Sequence, residues 1–221
     1  MTYDGHLSPG DISNTRDLGS TRITKLSVSS MHNNVYLVTC SAIGTALLID
    51  AADDWPAIDR MIRQDGGNVE IIATTHRHWD HVRALADAVT ATHAQTVAGT
   101  DDADELPVPV DRKVAQGDSL RVGDLVLDVL HLRGHTPGSI ALALTAPDEV
   151  VHLFTGDSLF PGGVGATDHY DYQSFSTLID DVETRVFDRY DDRTVIYPGH
   201  GDDTTLGSER PKLPQWRARE W

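Results

Sequence analysis

The sequence predicts an α/β protein built as an αββα sandwich, two packed sheets with helices outside. Short apolar, β-branched runs recur along the chain, and in each half several of them precede a helical pattern. No short-period repeat or low-complexity run points elsewhere. With 221 residues, 39% of them hydrophobic, the chain is ordinary for a globular protein. A chain of this length buries roughly 70% of its unfolded surface and needs no disulfide. Its single cysteine, Cys40, cannot form an internal one.

The first 22 residues are polar and turn-rich and read as an N-terminal extension, leaving 23–221 as one domain. Ile23 to Val28 alternates, and Asn34 to Cys40 and Thr45 to Ile49 are apolar; these are strands. Asp53 to Gln64 reads as a helix, with Asp at its start, Pro56 in its first turn, Ile58, Met61 and Ile62 on one face, and Gly66-Gly67 after its end. Val69 to Thr74 is a strand, His81 to Thr92 a helix and Gln95 to Ala98 a short strand. Asp101 to Arg112 is an acidic, Pro-broken loop. Asp118 to Arg121 and Leu125 to Leu132 flank a turn at Gly123-Asp124, and Ser139 to Thr145 and Val150 to Thr155 flank Pro147-Asp148. Ser174 to Phe187 is a helix, Thr194 to Tyr197 a strand, and a mixed-charge tail runs to Trp221.

The net charge is −16, from 18 Lys+Arg against 34 Asp+Glu. Such a surface repels phosphate backbones, so neither nucleic acid nor an anionic membrane is expected as a partner. Of the acids 28 are Asp, and only three of the bases are Lys, a bias that fits either high-salt adaptation or the composition of the source genome. No stretch approaches the ~20 apolar residues of a membrane helix. No positive segment followed by an apolar one opens the chain, and a cytoplasmic location is expected.

The chemistry concentrates in Thr75-His76-Arg77-His78-Trp79-Asp80-His81, just after a predicted strand. On an extended chain His76 and His78 point the same way, and Asp80 and His81 can turn back from the following loop. One loop can thus serve two adjacent metals, and imidazole and carboxylate suit zinc, iron or manganese. Three later segments each place a His or Asp beside a Gly after a strand: Gly134-His135, Gly156-Asp157 and Gly199-His200. Glycine there permits a sharp turn and a close approach. Four strand ends therefore present seven metal-type side chains to one edge of the sandwich.

This constellation, from about Leu26 to His200, resembles the metallo-β-lactamase-fold hydrolases, most closely their glyoxalase II-like (hydroxyacylglutathione hydrolase-like) branch. The Gly-Asp-Ser-Leu-Phe run at 156–160 and the Gly-rich Pro161 to Gly165 also look like that branch. The resemblance implies that His76, His78 and His135 bind a first metal. Asp80, His81 and His200 would bind a second, with Asp157 and a hydroxide bridging the two. It implies two divalent ions, zinc foremost with iron or manganese as alternatives, and catalytic roles for Asp80 and Asp157. Asp157 would keep the ions together, and Asp80 would orient the nucleophile or pass a proton to the leaving group. The true β-lactamases share the first motif but lack a bridging Asp.

The expected activity is hydrolysis of a small-molecule thioester or ester, since a divalent metal brings the pKa of water to about 7 and a thiolate leaves easily. The alternatives are a mononuclear-iron persulfide dioxygenase, which uses part of the same set, and a lactonase-type small-ester hydrolase. Asp50 looks like the family's acid that supports the ligand loop. Asn33, Asn34 and Tyr36 lie near a strand start that borders the pocket in this family, and His169, Tyr170 and Tyr172 are candidates for its mouth. Trp79 is expected to pack under the loop. His6, His32, His93, His131 and His152 are expected to be structural or exposed, and Cys40 a core residue. Two departures stand out: 21 residues follow His200, with Arg210, Lys212, Arg217 and Arg219 as their bases, so glutathione specificity is not supported, and Arg77 stands where the family usually has His.

Overall fold

The computed structural model describes residues 3–219; residues 1, 2, 220 and 221, at the ends of the two expected ranges, lie outside the described residues. The first sheet is built from β1 (Asn14–Asp17), β2 (Thr21–Val28), β3 (Asn33–Cys40), β4 (Thr45–Ile49), β5 (Asn68–Thr74), β6 (Gln95–Gly99) and β7 (Arg112–Val114), in that spatial order. β1 to β4 pair antiparallel, and β4 to β7 pair parallel. Helix α1 (Trp55–Asp65) crosses between β4 and β5, and α2 (Leu85–Thr92) between β5 and β6.

The second sheet begins with β8 (Ser119–Val122), β9 (Leu125–His131), β10 (Ile140–Thr145) and β11 (Val151–Gly156). A hairpin of β12 (Leu159–Phe160) and β13 (Gly163–Val164) follows, then α3 (Phe175–Val182), β14 (Val195–Pro198), β15 (Thr204–Thr205), α4 (Leu206–Glu209) and α5 (Leu213–Arg219). The order in this sheet is β15-β14-β11-β10-β9-β8, with β14 parallel to β11.

Alternation along the strands explains the layers. In β3, Tyr36, Val38 and Cys40 point between the sheets, where they meet Val129, Leu142, Phe154 and Tyr197. Val35 and Leu37 point the other way, onto Ile58 and Met61 of α1 and Leu85 of α2. On the outside of the second sheet Leu130, Ala141 and Leu153 pack under Leu178 and Val182 of α3 and Trp216 of α5. The expected αββα sandwich is the fold observed.

Four differences from the sequence reading have local causes. Within the expected extension, Asn14–Asp17 pairs with β2. The buried ammonium of Lys25 then draws the first residues inward, donating to the Gly5 carbonyl (2.8 Å), the Gly201 carbonyl (2.7 Å) and Asp203 Oδ1 (2.8 Å). The helix expected from His81 begins only at Leu85: Trp79–His81 is a 3-10 turn, and the Arg83 and Ala84 amides go to the Ala52 and Ala51 carbonyls. The helix expected to run to Phe187 ends at Val182, and Glu183–Phe187 winds on as a π turn. The acidic loop ends in β7, parallel to β6.

β5, β11 and β14 are parallel or face the same edge, so the turns after them open at one end of the sandwich. There the sheets are stitched together: the Ile140 amide donates to the Thr75 carbonyl (2.9 Å) and Asn34 to Gly199 (2.7 Å), while Gly199 continues the β11–β14 pairing by donating to Gly156 (2.8 Å).

Candidate metal centre

His76 is the second residue after β5 and is buried with Thr75, which directly follows the strand. Asp50, just past β4, accepts from the Thr75 amide (2.7 Å), the Thr75 hydroxyl (2.7 Å) and His81 Nδ1 (2.9 Å). With its proton given to Asp50, Thr75 Oγ1 accepts from His76 Nδ1 at 3.0 Å. His135 Nδ1 lies 2.8 Å from the Ala166 carbonyl, and His200 Nδ1 2.8 Å from the Met31 carbonyl. A carbonyl only accepts, so both Nδ1 atoms carry a proton, and in the neutral ring of either residue Nε2 presents the lone pair. His78 gives its Nε2 to the Tyr172 hydroxyl at 3.0 Å, leaving Nδ1 as its other nitrogen.

These nitrogens converge. His76, His78 and His135 form one set whose ligand atoms all lie within 4.8 Å of one another; Asp80, His81 and His200 form a second, and His76, His81 and Asp157 a third that spans the two. Asp157 lies between them, with Oδ1 3.4 Å from His81 Nε2 and Oδ2 3.4 Å from His200 Nε2 and 3.6 Å from His135 Nε2. Two glycines make room for it. A Cβ at Gly199 would meet Asp157 Oδ1 at 2.2 Å, and one at Gly165 the Asp157 carbonyl oxygen at 1.9 Å.

Burial keeps His76 and His135 below the usual imidazole range and pushes His78 down to about 4, so the first set is a group of neutral donors. For the second set burial also opposes charge, but carboxylates outweigh it. Asp157 and Asp50 raise His81, and Asp157 and Asp80 raise His200 to about 10. Asp157 and Asp80 are held below the ordinary carboxylate range, against burial, by His81 and His200. His76 Nε2, His135 Nε2 and Asp157 Oδ1 are buried without a hydrogen-bond partner. Buried lone pairs aimed at one point are costly unless a cation takes them; the neutral imidazoles of the first set fit divalent metal as they stand, and in the second set a metal would replace the protons that the carboxylates hold on His81 and His200.

The metallo-beta-lactamase superfamily profile matches residues 30–200. The chain belongs to this superfamily. It is 36% identical over 133 residues to a hydroxyacylglutathione hydrolase of Jannaschia sp., a stretch covering 60% of this chain and 50% of that protein. It is 30% identical over 188 residues to hydroxyacylglutathione hydrolase GloC of Haemophilus influenzae, covering 76% and 86% respectively. The chain thus spans about half the length of the Jannaschia relative and most of GloC. Among solved structures, ETHE1 from Myxococcus xanthus superposes with a TM-score of 0.75 at 30% identity, over 89% of this chain and 84% of that one. TTHA1623, solved in a di-iron-bound form, superposes with a TM-score of 0.71 at 29% identity, over 84% and 96%.

Around this cluster the other expected residues divide. Asp50 braces the ligand loop. Asn33 donates through Nδ2 to Asp80 Oδ2 (3.0 Å) and to the Asp80 carbonyl (3.1 Å). Asn34 and Tyr36 are buried away from the mouth and brace the His200 turn: Asn34 Nδ2 donates to the Pro198 and Gly201 carbonyls (both 2.9 Å), and the Tyr36 hydroxyl to Pro198 (2.7 Å). Tyr170 and His169 line a cavity of about 300 Å³ above the ligands, together with Met31, Trp79 and Phe160. Trp79 is not packed under the loop: it is 55% exposed, with the Arg83 guanidinium 4.4 Å from its ring centroid. Arg77 lies over the Tyr172 ring at 4.3 Å. Of the histidines outside the clusters, His152 is buried, its Nδ1 2.8 Å from the Tyr197 hydroxyl.

One buried group escaped the sequence reading. Asp102, after β6, accepts from the Arg77 amide (3.1 Å) and the Thr136 hydroxyl (2.5 Å) through Oδ2, and from the Gly138 amide (2.9 Å) through Oδ1. It ties the His76–His78 loop of one sheet to the His135 loop of the other. The sequence carries only a weaker form of the signal that marks the other segments: Asp102 comes three residues after the strand-end Gly99 rather than directly after it.

Proposed function

We propose that the chain is a metal-dependent hydrolase of small-molecule thioesters or esters that works with two divalent ions. The observation that carries this reading is the Asp157 carboxylate, half-buried with Oδ1 fully buried and facing both ligand sets. His76, His78 and His135 would hold one ion, and Asp80, His81 and His200 the other, with Asp157 shared. The hydroxyacylglutathione hydrolase relatives and the di-iron-bound TTHA1623 structure support it. Zinc is the metal proposed, with iron or manganese accommodated by the same donors.

Divalent ions in such a site supply a nucleophile from water at neutral pH and polarise a carbonyl oxygen. The chain's own part is positional and electrostatic. Thr75, Ala166 and Met31 fix the tautomers of His76, His135 and His200, so that Nε2 faces inward. Asp80, kept ionised and steadied by Asn33, stands at the mouth, where it orients the attacking water and passes its proton to the leaving group. A thiolate needs little help to leave, which favours thioesters over amides. We place the protein in the cytoplasm; no described helix is long and apolar enough to cross a membrane.

The test is a thioester panel, including S-lactoylglutathione, run beside oxygen consumption on glutathione persulfide. Acid and thiol release from thioesters, without oxygen uptake, is the expected result. Oxygen uptake on the persulfide with no thioester cleavage would establish the one-iron persulfide dioxygenase instead.

A further inference from the structure

We propose that the mouth over the metal centre selects an uncharged thioester or ester with an apolar acyl group, and that it does not hold its substrate through carboxylates of the carrier. This rests on the hydrolase reading above and names its substrate class.

Six large apolar or aromatic side chains are exposed among the described residues, and three of them, Met31 (39%), Trp79 (55%) and Tyr170 (46%), stand around this one opening. Phe160, at the end of β12, adds a fourth wall. Such a concentration marks a binding surface rather than scattered exposure. The rim is also preorganised. Tyr170 stacks on Tyr172 with centroids 5.1 Å apart and planes 7° from parallel, and Tyr172 is fixed by its hydroxyl on His78 and by Arg77 over its ring. Trp79 carries Arg83 on its ring. Aromatic walls held in place bind apolar groups with little loss of side-chain freedom.

Charge completes the argument. Among the described residues that line the mouth there is no Lys or Arg. The two guanidiniums stacked on the aromatic assembly face carboxylates instead: Arg77 faces Asp102 at 3.7 Å, and Arg83 faces Asp53 at 3.3 Å. His169 lies 3.3 Å from Asp168. Arg219 borders an adjoining hollow, with Trp216 and the Pro161–Val164 side of the hairpin, which meets the mouth only at Phe160. An anionic carrier such as glutathione therefore meets aromatic rings at the mouth and a chain of net charge −16 behind them. The cavity volume of about 300 Å³ suits a compact group.

The experiment has two arms on the metal-loaded protein. The first compares kcat/KM for acetyl, butanoyl and hexanoyl thioesters of N-acetylcysteamine, which is neutral, and of glutathione. A gain of about fourfold per methylene is expected, together with a preference for the neutral carrier at equal acyl group that shrinks as salt is raised. Trp79→Ala and Tyr170→Ala should flatten the acyl-length dependence, mainly through KM. The second arm measures calorimetric binding of two inert thioethers, S-hexyl-N-acetylcysteamine and S-hexylglutathione. The neutral one should bind more tightly in the wild type, and Trp79→Ala should lose that binding. If no thioester is cleaved but the neutral thioether binds through Trp79, the hydrolase reading falls and the selectivity stands. A preference for the glutathione compounds in either arm, or a flat acyl series, overturns the proposal.

Discussion

Asp102→Asn changes one buried atom and leaves the shape of the side chain intact. The carboxylate accepts from the Arg77 amide on Oδ2 and from the Gly138 amide on Oδ1. An asparagine keeps one oxygen, so whichever way it is turned one of these backbone N–H groups faces an NH2 group. A buried donor left without its acceptor costs about 1–3 kcal/mol. In a domain of this size each kcal/mol moves Tm by about 2–4 °C, so a fall of roughly 4–8 °C is expected in the metal-free protein. Thr136 does not add to this, because its hydroxyl can turn to Ser139 Oγ, 2.5 Å away. The variant also loosens the tether between the loops of His78 and His135, and weaker affinity for the first ion, by about tenfold, is expected from loss of such outer support. Differential scanning of metal-free protein and competition with a chromophoric chelator measure the two effects, with the exposed neighbour Asp101→Asn as control. A Tm within 1 °C of wild type (roughly the scale below which no buried donor has been orphaned), together with unchanged metal affinity, would refute the argument that Asp102 couples the ligand loops.

Replacing Asp157 with Ala should leave His76, His78 and His135 able to hold one ion while the second is lost and most hydrolysis with it; elemental analysis and a thioester assay check this. His152→Gln, on the preceding strand, should keep the wild-type metal content. His152 also predicts a pH effect on stability. Burial holds its folded pKa at about 4, against about 6.5 when unfolded. Between these values the unfolded chain binds more protons, so stability falls as pH drops from about 6.5 to about 4, by about 3 kcal/mol in all. Denaturant melts across that window should show a shallower pH dependence for His152→Gln than for wild type, and identical slopes would contradict it.

Much of this was legible in the sequence, for reasons that particular residues illustrate. The strands announced themselves because both faces are buried, leaving unbroken apolar runs such as Val35 to Val38. The ligand segments were visible because each is a strand end followed by His or Asp, crowded together at 76–81 and beside glycine in the three later segments, a local signal for a local geometry. What stayed hidden depends on partners far away in the chain. The Leu85 start of α2 is imposed by the Ala51 and Ala52 carbonyls, and β1 is placed by pairing with β2. The exposure of Trp79 follows from the 3-10 turn that sends Asp80 and His81 inward. The roles of Asn34 and Tyr36 depend on the Pro198 and Gly201 carbonyls, more than 160 residues further on. No sequence window around either residue contains that information.

The central claim is that two ions share Asp157, and the most direct test is the metal content of fully active protein, purified without added metal and then titrated. The account predicts that activity reaches its plateau at two divalent ions per chain. A plateau at one tightly held iron, with no second ion taken up on titration, would contradict it.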